Sequence, residues 1–118
     1  MSEAEILDLY GVEGVNFAAP ATVAQTILAQ LGGQQFLTMT GAHGLVHGER
    51  ELQMQIPRRP GVGRRIFRVE LAADDTYQVR LYRLKRGLNV ETCAAQDNVY
   101  AEMLAPVFER MTGLRTRL

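Results

Sequence analysis

The feature that most constrains this chain is a strict alternation of apolar and polar residues between Leu52 and Arg86. Leu52, Met54 and Ile56 alternate with Gln53 and Gln55; Phe67, Val69 and Leu71 alternate with Arg68 and Glu70; Tyr77, Val79 and Leu81 alternate with Gln78 and Arg80. A period of two puts every second side chain on one face of a sheet, so each run reads as a half-buried strand. The segments between them, Pro57-Arg58-Arg59-Pro60-Gly61-Val62-Gly63 and Ala72-Ala73-Asp74-Asp75, have the composition of turns. Three such runs joined by short turns predict an antiparallel meander.

Helical stretches flank the meander. Glu3 to Tyr10 carries Ile6, Leu7 and Tyr10 on one side, and Gly11 and Gly14 end it, so residues 1–19 read as an N-terminal arm or short helix. A stronger helix starts near Pro20, buries Val23, Ile27, Leu28 and Leu31, and stops at Gly32-Gly33. Phe36 to Thr40 then reads as a strand or a turn, and Gly41 to Gly48 as a loop or hairpin. After a tight turn at Lys85-Arg86-Gly87, Leu88, Val90 and Thr92 predict a fourth strand. Asp97 reads as the N-cap of a closing helix striped by Val99, Met103, Val107 and Met111, widened by Tyr100, Leu104 and Phe108, and ended by Gly113. Pro106 conflicts with that helix, because an interior proline removes a hydrogen bond. The expected architecture is α+β: about four strands on two helices, in the order α-α-β-β-β-β-α, with residues 20–118 as one domain.

Charge is unevenly spread along a chain whose net charge is zero. Residues 1–49 hold five acids and no base, residues 50–92 hold ten bases against five acids, and the remainder balances. The asymmetry implies either a basic and an acidic face, or two halves that neutralise each other in the fold. Arg58, Arg59, Arg64, Arg65 and Arg68, with Arg80, Arg83, Lys85 and Arg86 on neighbouring segments, form the main candidate site. Guanidinium forks bind phosphate bidentately, and a two-stranded ribbon that carries them can follow a nucleic-acid backbone. The competing readings are an acidic protein partner and ordinary solvated charge on exposed strands.

Other chemistries find little support. His43 and His47 are four apart but sit among Gly41, Gly44 and Gly48, which disfavour the helix that would bring them onto one metal. The lone Cys93 allows no internal disulfide and by default is a small buried hydrophobe. Ser2 is the only serine, which leaves a serine nucleophile without a candidate. Asp74-Asp75 reads as local capping within a turn, and Gly32-Gly33 follows its helix instead of opening one as a phosphate loop would. The sequence therefore predicts a non-enzymatic protein with no cofactor and no metal. No apolar run approaches the roughly 20 residues that span a bilayer, and the first residues are acidic where a signal peptide is basic. The expected location is the cytoplasm. The closing helix is left open to the core or to a homodimer interface.

The string VAQTILAQLGGQQFLTMTGAHGLV (residues 23–46), the IPRRP segment, DDTYQVRLYRL and the closing VYAEMLAPVFERMTGLRTRL resemble small proteins of unknown function encoded by phages, prophages and mobile genetic elements. The resemblance spans roughly residues 22–118 and leaves the acidic arm largely outside. It implies a phage accessory protein and no mechanism. On that basis the leading expectation is binding to nucleic acid or a nucleoprotein complex through the arginine-rich sheet edge. The alternative is a protein–protein inhibitor of a host defence system, of the anti-CRISPR or anti-restriction type.

Overall fold

In the computed structural model, which describes residues 22–85 and 89–117, the three alternating runs become adjacent strands of one sheet. They are β2 (Glu51–Ile56), β3 (Arg65–Leu71) and β4 (Tyr77–Leu84). Each pair is antiparallel, with Met54 opposite Phe67, Phe67 opposite Leu81, and Val69 between Leu52 and Val79. The meander is longer than the sequence predicts. β1 (His43–His47), expected as loop or hairpin, pairs with β2, and β5 (Val90–Val99) pairs with β4, giving five strands in the order β1-β2-β3-β4-β5. Both outer pairings are interrupted. The β1 register shifts between His43 and Val46, and β5 carries extra residues between the partners of Leu81 and Tyr82 and between those of Tyr77 and Val79. Irregular edges of this kind hinder pairing with another chain.

Three helices pack on the side of the sheet that carries Leu52, Met54, Phe67, Val69, Val79 and Leu81. α1 (Thr22–Leu31) buries Ala24, Ile27 and Leu31, while Val23 and Leu28 are partly covered. Gly32, at φ 131°, breaks it, and a second helix, α2 (Gly33–Thr40), follows at once. This overturns the expectation of a strand or turn over residues 36–40. Phe36 and Thr40 are both buried, one helical turn apart, and Thr40 Oγ1 donates to the Phe36 carbonyl at 2.8 Å. β-branched residues alone favour a strand here, but the glycine break restarts a helix whose fourth residue reaches the core.

The closing helix is also shorter than expected. α3 spans Leu104–Thr112, after a single 3₁₀ turn at Ala101–Met103. Asp97 is not its N-cap but a β5 residue, and Val99 is a fully buried strand residue opposite Tyr77. This boundary resolves the conflict over Pro106. As the third residue of α3 it sits in the first turn, where backbone N–H groups have no partner within the helix. The one-turn spacing of Val99, Met103 and Val107 is thus shared by a strand end, a 3₁₀ turn and a helix. Gly113 caps α3 at φ 78°, its N–H donating to Glu109 O at 2.9 Å.

Phe108 on α3 is the centre of the core. Its ring meets Phe36 of α2 and Phe67 of β3 edge-on, each with centroids 4.8 Å apart. The apolar side of α3 therefore packs against the sheet, and a dimer interface is not needed to bury it. The other sheet face carries Gln53, Gln55, Arg68, Glu70, Gln78 and Arg80, together with Ile66, fully buried between its partners Gln55 and Tyr82. Among the described residues no helix is long and apolar enough to cross a membrane. The expected arm helix at residues 3–10, Arg86 and Leu88 lie outside the described residues.

Candidate nucleic-acid interface

The β2–β3 connection is built by its own residues. Val62 N donates to Arg59 O at 3.0 Å, closing a four-residue turn with Pro60 second and Gly61, at φ 80°, third. Proline at the second position and a positive φ at the third make a type II turn. Arg58, Arg59 and Arg64 are exposed on it. Arg64 Nη2 donates to Gln55 Oε1 at 3.2 Å, so it is anchored along β2. Arg58 and Arg59 have no carboxylate partner among the described residues. Arg59 reaches the C-terminal end of α3, where a methyl group on Gly113 would lie 3.5 Å from its Nη2.

Arg65 behaves differently from its neighbours in sequence. The alternation that turns Phe67 and Val69 inward turns Arg65 inward too, and only 8% of it is exposed. Its Nη1 donates to Thr112 O at 3.3 Å, satisfying a carbonyl at the end of α3. Burial, and then repulsion from Arg59, lower its pKa from the ordinary arginine value, while Cys93 acts weakly the other way.

The remaining predicted arginines do not continue a single track. The register places Arg68 opposite Arg80 and Arg65 opposite Arg83, so they alternate between the two faces of the sheet. All three strand arginines beyond the turn are also paired. Arg68 bridges Glu51 and Glu70, each at 2.5 Å. Burial opposes its charge, but the Glu51 hydrogen bond and the two carboxylates outweigh that and hold its pKa above the ordinary value. Arg80 meets Asp97 at 2.8 Å and also donates to Val79 O. Arg83 makes a forked contact to Glu91 at 3.2 and 3.3 Å, and Lys85 pairs with the same carboxylate. Lys85 leads the causes that pull the Glu91 pKa below its usual value. Arg68, Arg80 and Arg83 thus lie on both faces of the sheet, each against a carboxylate, whereas Arg58 and Arg59 at the turn have none among the described residues. Among the described residues the neutralising carboxylates, Glu51, Glu70, Glu91 and Asp97, come from the meander itself.

The sequence did not single out the tail. Beyond Gly113, a shallow groove is lined by Glu109, Leu114, Arg115 and Arg117. Its carboxylate is already engaged, because Glu109 Oε2 accepts from Thr116 N at 2.9 Å and from Thr116 Oγ1. Arg115 and Arg117 are exposed and extend the cationic corner past α3. Their only signal in the sequence was the alternation of Arg115, Thr116 and Arg117 after a helix-ending glycine.

The minor candidates are separated. His43 and His47 face opposite sides of the sheet across the β1 irregularity, and no cluster of three metal-ligating side chains occurs among the described residues. Cys93 is exposed, not buried, because it is an extra residue of the β5 bulge. Asp74 caps its own turn, accepting from Thr76 N at 3.1 Å and Thr76 Oγ1 at 2.6 Å, and these bonds lower its pKa. Comparison with protein-family models, curated proteins and solved structures finds no match to this chain.

Proposed function

We propose that this is a non-enzymatic accessory protein of a phage or mobile element that binds nucleic acid, or a nucleoprotein complex, through the cationic corner at the β2–β3 turn. The observation that supports this reading is the contrast among the arginines. Arg68, Arg80 and Arg83 are matched by carboxylates, whereas Arg58 and Arg59 project from a rigid turn with none among the described residues. Flexible cations matched by acids serve the fold; unmatched ones on a shaped turn are available to phosphates. Arg58 and Arg59 hold the backbone, Arg64 extends the contact along β2, and Arg115 and Arg117 widen the footprint. Such contacts give salt-sensitive binding with little sequence preference. The phage origin is supported by the resemblance of residues 22–118 to small mobile-element proteins. Fluorescence anisotropy on labelled duplex and single-stranded DNA and RNA at about 50 mM salt tests the proposal. Binding that is abolished by Arg58→Glu with Arg59→Glu supports it. No binding to any of the probes, or affinity unchanged by the reversal, rejects it.

A further inference from the structure

Arg65 has more donors than the fold uses. Nη1 is engaged by Thr112 O, but Nε and Nη2 are buried with no hydrogen-bond partner among the described residues. These two nitrogens form one edge of the guanidinium, a pair of parallel N–H groups spaced to match two oxygens of a carboxylate or phosphate. Buried donors are nearly always satisfied, and a buried cation normally has a counter-charge. Here the charge that acts on it most strongly is another cation, Arg59, and the carboxylate in the same row of the sheet, Glu91, lies two strands away opposite Arg83 and is shared between Arg83 and Lys85. Helix capping explains one of the five N–H groups and leaves the free edge unexplained.

We infer that the Nε–Nη2 edge of Arg65, with Arg59 beside it, is a seat for one phosphate group, through which the cationic corner takes a nucleic-acid phosphate bidentately. This deepens, and rests on, the nucleic-acid reading above. A single phosphate answers both deficits, supplying two acceptors to the orphaned edge and negative charge between two guanidinium groups that otherwise repel. The edge has almost no accessible surface, so entry requires a local shift, and we assign it to the turn over residues 57–64, whose Arg59 lies against Gly113 at the end of α3. Arg59, exposed and lying against Gly113, is placed to move with the turn and close over the bound group.

The test is a titration of the whole protein with sodium phosphate, read from the arginine side-chain Nε–Hε signals, with sodium chloride and sodium acetate at matched ionic strength. Loss of one signal in Arg65→Lys assigns Arg65. The expected result is a saturable shift of the Arg65 signal with phosphate alone, weakened severalfold in Arg59→Gln. If Arg65→Lys does not fold, Arg59→Gln, at an exposed site, still carries the test, because Arg65, the one deeply buried arginine among the described residues, gives a signal slow to exchange with water. An Arg65 signal unmoved by phosphate overturns the inference, and an equal shift with acetate overturns the phosphate assignment. Duplex binding by the same samples separates the two proposals. If duplex binds through Arg58 and Arg59 while phosphate leaves Arg65 unmoved, only the seat fails. If phosphate moves Arg65 but no nucleic acid binds, the seat takes a free phosphate and the nucleic-acid reading fails.

Discussion

Neutralising the turn should change how binding responds to salt by an amount set by the structure. For duplex DNA, every phosphate that a protein cation neutralises steepens the dependence of log K on log salt by about 0.9. Arg58 and Arg59 are the two turn arginines with no carboxylate partner among the described residues, so Arg58→Gln with Arg59→Gln should flatten the slope by about 1.8. Between about 50 and 200 mM salt, a fourfold change, these two cations account for a roughly twelvefold weakening of wild-type binding that the double variant should not show. The control is Arg80→Gln with Asp97→Asn, which removes an ion pair at 2.8 Å without altering net charge and should leave the slope unchanged. Anisotropy titrations over several salt concentrations measure both. The reasoning is refuted if the turn variant keeps the wild-type slope, or if removing the Arg80–Asp97 pair flattens it as much.

The remaining predictions concern the fold that holds the corner. Phe108→Ala removes a ring packed edge-on against Phe36 and Phe67 and should cost about 3–5 kcal/mol, seen as a lower urea midpoint with an unchanged m-value. A destabilisation below about 1 kcal/mol would mean that the core is not centred there. Gly41 has φ 73°, and an added Cβ would lie 2.9 Å from Pro57 Cγ, so Gly41→Ala should destabilise by at least about 1–2 kcal/mol, whereas a neutral result would contradict the left-handed cap of α2. Glu91 has a folded pKa below its ordinary value of 4.5, so its contribution is present above that pH and is lost as pH falls through the lower folded value. The stability advantage of wild type over Glu91→Gln should therefore be constant near neutrality and shrink towards zero in acid; an advantage that grows as pH falls would reverse the assigned sign.

The parts of the fold that were legible share a short-range cause. β2, β3 and β4 follow from alternation, since a one-residue slip would expose Met54, Phe67 and Val79 together. The burial of α1 followed from its stripe. Elsewhere, two local patterns were compatible with the same residues. Val99, Met103 and Val107 suit a helix by spacing, yet β5 pairs with β4 through Val99, and Pro106 tolerates only the first helical turn. Phe36 to Thr40 suits a strand by residue type, yet the core needs Phe36 and Thr40 on one side. Of the candidate site, the turn and its exposed arginines were readable from the Pro-Gly sequence, and even the inward direction of Arg65 is implied by its parity with Phe67.

Which arginines remain unmatched is a different kind of question. A sequence fixes the number and order of charges, and alternation assigns each to a face, because both depend on neighbours one or two residues away. It does not fix which carboxylate lies within reach, since Arg68 meets Glu51 seventeen residues away and Arg80 meets Asp97 on the neighbouring strand. Those pairings, and the approach of Arg59 and Arg65 to the end of α3, depend on strand register and helix placement. Coulombic attraction and hydrogen bonding act over a few ångströms of space, not along the chain, so only the assembled tertiary structure decides them.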